Sequence, residues 1–493
     1  MAPIHPVTPT ASSGFFAKRV VLALLLTAGF YALVLAVLAL FGGLLYLLIT
    51  SSSPIDVRVI VFLAIVPLII LKSLLPTRDK FVALGPKLDR AHEPALFATI
   101  DAVARQTGQN PPAEVYLRPD ANADVTERGG ILGFGSKRVM SIGMPLLITL
   151  SVSQLRGVLA HEFGHFEGGN MRLSGWIYRL RGAIGRTIDN LGFLQAPFNW
   201  YGQLFMRVTQ SLSRQQEFEA DRLAAGIVGS AVMADALRIA WQTNLAYVMY
   251  WRCEVMPLLA SGYRPPIADG FSRYLNVQST RDMIAAYYVE AAAEKTDLYD
   301  KHPAMSERIA AIHALRVNVA ESDERSALSL VRSTDALEQA LLLDLGGGDV
   351  LDKLRAISWE DAGSVYRERW QRRLQPFLET LRGLTLGDLG DYINAPTPVL
   401  VTALRAVTGN PSLSSVEARD LGSGIVSDAV ALSLCAAGWQ IGPVLGQPIT
   451  LVHGDMSIQP HILASKIVNG EWTPAQWRDH MVQTGIAALP ALA

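Results

Sequence analysis

The sequence predicts a mainly helical α+β chain: an N-terminal transmembrane helical hairpin, a central mixed domain, and a mixed, mostly helical C-terminal region. Three observations predict it. Two long apolar runs stand near the N-terminus, short strand-like segments alternate with helical periodicity in the middle, and beyond residue 327 helical patterns continue between glycine and proline turns. With 493 residues the chain can build two or three domains with real cores, so it needs no disulfide or metal in order to fold.

The first apolar run, Val20 to Thr50, contains no charged residue. It is longer than one bilayer crossing requires and too long for a signal peptide, so a tilted span is expected. After the polar break at Ser51, Ser52, Ser53 and Pro54, a second run covers Val57 to Leu75, with Arg58 and Lys72 placed to snorkel. Lys18 and Arg19 precede the hairpin, and Lys72, Arg78, Lys80, Lys87 and Arg90 end or follow it, whereas the connecting loop holds only Asp56 and Arg58. The positive-inside rule then puts both ends on the cytoplasmic face of the cell (inner) membrane, a multi-pass arrangement with the lipid bilayer as a partner. The expected organisation is a cytoplasmic tail at 1–18, the hairpin at 19–76, a central domain at 77–320 and an accessory region at 327–493. A net charge of −1 offers no concentrated positive field for nucleic acid. The two cysteines, Cys253 and Cys435, lie far apart without metal-ligand spacing and fit a reducing compartment.

Within the central domain, residues 92–110 read as a helix ended by Pro111-Pro112, and Glu114 to Leu117 as a strand. The glycine-rich GGILGFG leads to a second strand at Arg138 to Ile142, and Pro145 opens a short helix. Ser151 and Gln154 form a capping box for the next helix, whose apolar positions Leu155, Val158, Leu159, Phe163 and Phe166 keep helical spacing until Gly168-Gly169. From Met171 to Arg214, six arginines stand against one acid, Asp189, interleaved with Trp176, Tyr178, Trp200 and Tyr201. This reads equally as a membrane-surface element or as a solvated helix face with packed aromatics. No further span is expected, because the uncharged part, Leu191 to Met206, is short and contains Pro197, Asn199 and Gln203.

The chemistry resides in the run HEFGH. On a helix His161 and His165, four residues apart, share a face and can present two imidazole nitrogens to one Zn²⁺ ion. Glu162 is offset around the helix and reaches metal-bound water, the place of a general base in peptide-bond hydrolysis. A third protein ligand is needed with a fourth position left open. The run Ser213-Arg-Gln-Gln-Glu217-Phe-Glu-Ala-Asp221 supplies Glu217 for the metal, and Asp221, on the same face, to accept the free N–H of a ligand histidine. Ala220, Ala224 and Ala225 leave room for close helix packing. His453, His461 and His480 have no regular spacing and read as ordinary histidines.

Over about residues 80 to 320 the chain resembles the HtpX-like metallopeptidases and the related zinc-type CAAX prenyl proteases. GVLAHEFGH and SRQQEFEAD carry the resemblance, with Lys301-His-Pro-Ala-Met-Ser-Glu-Arg308-Ile309 downstream. It implies a zincin-like metallopeptidase domain of the gluzincin type, and places His302 and Arg308 beside the substrate carbonyl oxygen, where donors stabilise developing negative charge. It also matches Asn122-Ala123 to a pair before a substrate-pairing strand, with Asn122 bonding the substrate backbone, although Asp124 departs from the family's small apolar residue. An edge strand at Arg138 to Ile142 would let an extended peptide add to the sheet. The implied activity is zinc endopeptidase action on polypeptide substrates, unfolded or membrane proteins, in membrane protein quality control. A non-catalytic metal-binding scaffold and a prenyl-protein processing protease stand as alternatives.

Overall fold

The computed structural model describes residues 13–51, 56–75, 82–128, 137–166, 170–297, 300, 302–347, 353–394, 398–442 and 445–492. The expected GGILGFG connection, the glycine stop at 168–169, the break at 52–54, and Arg78, Lys80 and Lys301 lie outside these residues. Helix accounts for 69% of the chain and strands form only small sheets, which makes it α+β and mainly helical as predicted.

The chain divides into two compact units, residues 1–243 with 287–332 and residues 244–286 with 333–493. In the first unit, α1 (Ser13–Thr50) and α2 (Val57–Leu74) contain, among the described residues, the two segments long and apolar enough to cross a membrane. Asp56 caps α2 by accepting a hydrogen bond from the Arg58 backbone N–H. The arginine-rich stretch forms α6 (Asn170–Leu191) and the first half of α7 (Ala196–Val228). Its apolar stripe faces inward: Ile177, Leu180, Ile184, Phe198, Tyr201 and Phe205 pack with Phe30, Val34, Val66 and Ile70 of the hairpin. These helices therefore complete a bundle with α1 and α2, and the Tyr201 hydroxyl donates to the Leu26 carbonyl of α1.

The same unit contains a three-stranded sheet of order β1-β3-β2, with β1 at Glu114–Arg118, β2 at Ala123–Arg128 and β3 at Lys137–Gly143. β1 runs parallel to β3, and β2 antiparallel to it with Ala123 opposite Ile142. The expected edge strand at 138–142 is thus the centre of the sheet. The edge beside it is β2. The Gly143 N–H donates to the Asn122 carbonyl at 2.7 Å, so by antiparallel alternation Ala123, Val125 and Glu127 direct their backbone N–H and C=O groups away from β3. Only glycine fits at 143, since a Cβ there would stand 2.1 Å from the Asp120 carbonyl oxygen.

The sheet leads through α4 (Met144–Thr149) to α5 (Val152–Gly164), which opens on the predicted capping box of Ser151 and Gln154. A distant segment secures the same end: Val152 N–H bonds the Arg325 carbonyl at 2.8 Å and Asp323 N–H bonds Ser153 Oγ at 2.7 Å. α3 (Pro94–Gln106) and α8 (Ser230–Tyr250) also belong to this part of the chain, the latter running on into the second unit's residues. In the second unit, residues 244–286 join 333–493 through long-range contacts. The Glu338 carboxylate accepts backbone N–H bonds from Ile267 and Ala268 at 3.0 and 2.7 Å, and Trp359 Nε1 donates to the Pro266 carbonyl at 2.9 Å.

Candidate metal centre

Two helices build the site because small residues let them touch. α5 and α7 meet where Gly164 faces Ala220, and a Cβ at 164 would stand 2.9 Å from the Ala220 Cα. This close approach sets the C-terminal turn of α5, with His161 and His165, against Glu217 and Asp221 of α7. His161 Nε2 and His165 Nε2 each lie 3.6 Å from a different carboxylate oxygen of Glu217. One ligand atom from each of the three residues can be chosen so that all lie within 4.8 Å of one another. Ligands at about 2.0–2.1 Å around a tetrahedral zinc are separated by about 3.4 Å, so the spacing fits that ion. The donor set of two neutral nitrogens and a carboxylate also fits. Glu217 Oε2 is buried with no hydrogen-bond donor aligned on it, although Arg308 Nη1 approaches to 3.1 Å.

Around this cluster lies a charged frame. Asp221 Oδ1 stands 2.9 Å from His161 Nδ1, which directs Nε2 toward Glu217. Arg308, on the helix Met305–Leu315, forks onto Asp221 through Nε and Nη2 at 2.8 and 2.7 Å, and only a tenth of its side chain is exposed. His302 is exposed, and its Nδ1 lies 3.1 Å from Glu217 Oε1. The loop that carries it is held from both sides. Arg214 donates to the Asp300 carbonyl at 2.9 Å, while the Thr296 hydroxyl bonds Glu307 Oε2 and accepts from Ala304 N–H at 2.7 Å.

Burial dominates the proton affinities, and neighbouring charges decide which way most of them go. Glu162 is raised to about 7, first by burial and then by the negative fields of Glu217 and Asp124. Burial also pushes His165 down to about 4, with His161 adding repulsion. For Glu217 burial acts upward, yet His302, Arg308 and His161 outweigh it and hold the carboxyl down to about 2. Asp221 follows the same balance, held well below the usual carboxylate range by Arg308 and His161. His161 is raised because its bond to Asp221 overrides the effect of burial, which makes it a more basic donor.

His161, Glu162, His165, Glu217, His302 and Arg308 line a cleft of about 320 Å³ together with Asn122 and Ala123, and Asp221 stands behind it. The Asn122 side-chain oxygen accepts from the Ala123 N–H at 2.9 Å, one of the donors directed away from β3. The structure therefore gathers His161, Glu162, His165, Glu217, Asp221, Asn122, His302 and Arg308 in one place. Sequence reasoning missed what engages Arg308: its guanidinium bonds Asp221 and approaches Glu217 at the wall of the cleft. The wall contributed by α8 was missed as well, and no local signal in the sequence marked it.

Residues 92–316 match the profile of Peptidase family M48. Among curated proteins, the chain is similar to Protease HtpX of Idiomarina loihiensis, 29% identical over 164 residues that make up 29% of this chain and 55% of the relative. Protease HtpX of Pseudomonas putida is 26% identical over 170 residues, 30% of this chain and 56% of the relative. Protease HtpX of Tolumonas auensis is 24% identical over 247 residues, 45% and 72% of the two chains. The chain spans about half the length of the first two relatives. No solved structure matches it significantly.

Proposed function

Residues 92–316 are an HtpX-like domain of peptidase family M48, and from that premise we propose that the chain is a membrane-anchored zinc endopeptidase. The observation that carries the reading is the convergence of His161 Nε2, His165 Nε2 and the Glu217 carboxylate at zinc-ligand spacing, with Glu162 in the same cleft. His161, His165 and Glu217 hold the ion. Zinc bound there supplies a Lewis acid that acidifies water and polarises a peptide carbonyl. Glu162 takes the proton of the attacking water on its carboxylate and delivers it to the leaving amine. His302, exposed at the cleft, donates to the carbonyl oxygen as negative charge develops on it. Arg308 acts one step back, neutralising Asp221 and Glu217 and so fixing His161 and the third ligand. The substrate backbone adds to the outward groups of β2, with Asn122 releasing the Ala123 N–H to it.

α1 and α2 anchor the chain in the inner membrane, their exposed Leu25, Leu35, Leu47, Val57 and Leu68 covered by lipid, with the catalytic domain on the cytoplasmic side. A site so tethered, which recognises backbone, suits unfolded or membrane polypeptides and a role in membrane protein quality control. The test is Glu162→Gln in the full chain, purified in detergent with zinc and given an unfolded protein such as reduced casein. Hydrolysis should fall by about 10² to 10⁴-fold while one zinc per chain is retained. Unchanged hydrolysis, or wild-type protein that binds no zinc, overturns the reading.

A further inference from the structure

The face of the sheet turned away from the cleft is charged. Side chains alternate along β2, so Ala123 lines the cleft while Asp124 stands on the opposite face. There it meets Arg118 of β1, whose Nη1 donates to Asp124 Oδ1. The rest of that guanidinium is already taken: Nε and Nη2 fork onto the two oxygens of Asp120, each at 2.7 Å. Two carboxylates thus share one buried arginine, and the trio keeps one net negative charge. That charge is not enclosed. Among the described residues no donor is aligned on Asp124 Oδ2, and 29% of the Asp124 side chain is exposed. Further along the same face the sign is reversed, since Arg128 of β2 and Lys87 both pair with Glu114.

β2 is also the strand to which the proposed substrate adds. Asp124 turns its own backbone N–H and C=O to β3, so against a peptide added antiparallel on the open side it occupies a non-hydrogen-bonded pair. In such a pair the Cα atoms are about 4.5 Å apart and the side chains approach most closely. The peptide residue opposite Asp124 lies on Asp124's face, next in sequence to the residue opposite Ala123. We infer that Asp124 is a specificity-determining residue, selecting a lysine or arginine at the substrate position that faces it across the β2 edge. Arg118 positions it. The inference rests on the endopeptidase reading, with substrate pairing along β2. A substrate cation makes a second pair on Asp124 Oδ2 and neutralises the trio, whereas an acidic side chain at that position sets like charges directly opposite each other.

The experiment uses the full-length zinc-loaded chain in detergent at low salt with a randomised peptide mixture, and reads the residues around each cut by mass spectrometry. One position near the cut should be enriched in Lys and Arg over Asp and Glu by about three- to tenfold. Asp124→Asn, which still offers Arg118 an acceptor, should abolish that enrichment, and Asp124→Lys should invert it toward Asp and Glu. A residue that only braced Arg118 would lower stability in these variants without moving the preference. Asp124 is partly exposed and the asparagine is isosteric, so failure of the lysine variant to fold still leaves the other to be read. Cutting without basic enrichment, or a preference unmoved in a folded variant, overturns the assignment of Asp124 and leaves the peptidase reading standing. No cutting by zinc-loaded wild type overturns the peptidase reading and the assignment with it.

Discussion

Replacing Arg308 by methionine separates two roles for that residue. A group reserved for the reacting carbonyl oxygen would affect turnover alone. The geometry instead engages the guanidinium with Asp221 through two hydrogen bonds of 2.8 and 2.7 Å, and with Glu217 at 3.1 Å, in a buried setting. Among the described ion pairs it is the permanently charged cation touching both carboxylates, since the histidines beside them are charged only when protonated. Its removal strands buried negative charge, and breaking a buried pair in this way costs about 3–5 kcal/mol. Zinc changes the balance, because a dication at Glu217 restores positive charge to the cluster. The loss should therefore be full without zinc and visibly smaller at saturating zinc, with Arg308→Lys in between because it keeps the charge but not the fork. Hydrogen exchange of the α5 and α7 amides, measured with and without zinc, reads the local opening free energy directly. If Arg308→Met leaves those amides as protected as in wild type, or if the loss is the same with and without zinc, the counter-charge argument fails.

Three other expectations follow from separate features. His302→Ala should lower kcat by about 10² to 10³-fold while zinc stays bound, because the ring is exposed and supplies a donor rather than a ligand; loss of zinc in a metal assay would contradict this. Gly164→Leu drives a side chain into the Ala220 backbone and should cost about 1–3 kcal/mol while spreading His165 from Glu217, so zinc per chain after dialysis should drop. Normal zinc content would show that the helix contact is not needed. In the second unit the Glu254 carboxyl, which accepts the Gly446 N–H at 3.1 Å, is pushed by burial from 4.5 to about 7. The folded state then holds this proton more tightly than the unfolded chain, so the contribution is fully present below about pH 4.5 and is lost as pH rises through about 7. At 1.36 kcal/mol per pH unit the loss reaches about 3 kcal/mol. Glu254→Gln keeps an acceptor for Gly446 and should flatten that slope, matching wild type near pH 4.5 and exceeding it at pH 8 in denaturant titrations; parallel curves would refute the assignment.

What the sequence made legible was local. The capping box at Ser151 and Gln154 and the i, i+4 histidines are written within one helix, and the apolar runs of α1 and α2 declare themselves by length. The edge of the sheet was not legible. β2 reads Ala-Asp-Val-Thr-Glu-Arg, only Ala123 of it is buried, and its pairing partner is chosen by a parallel crossover from β1 to β3 that no window of residues displays. The Met171 to Arg214 stretch looked like a surface because its arginines outnumber its acids, yet one narrow stripe, from Ile177 to Phe205, packs against the hairpin. Arg308 and Asp221 lie 87 residues apart, so the fork that joins them could be seen only in three dimensions.

α7 does two jobs along one axis. Its first turns are packed into the apolar bundle at Phe198, Tyr201 and Phe205, and its later turns present Glu217 and Asp221. No break in the helix intervenes between Ala196 and Val228. From Tyr201 to Glu217 the rise is about 24 Å, so a tilt of about 5° at the bundle end displaces the carboxylate by about 2 Å, a full metal–ligand bond length. The two ends are thus mechanically joined: a change of angle at the bundle is carried along one unbroken axis to the turn that bears Glu217.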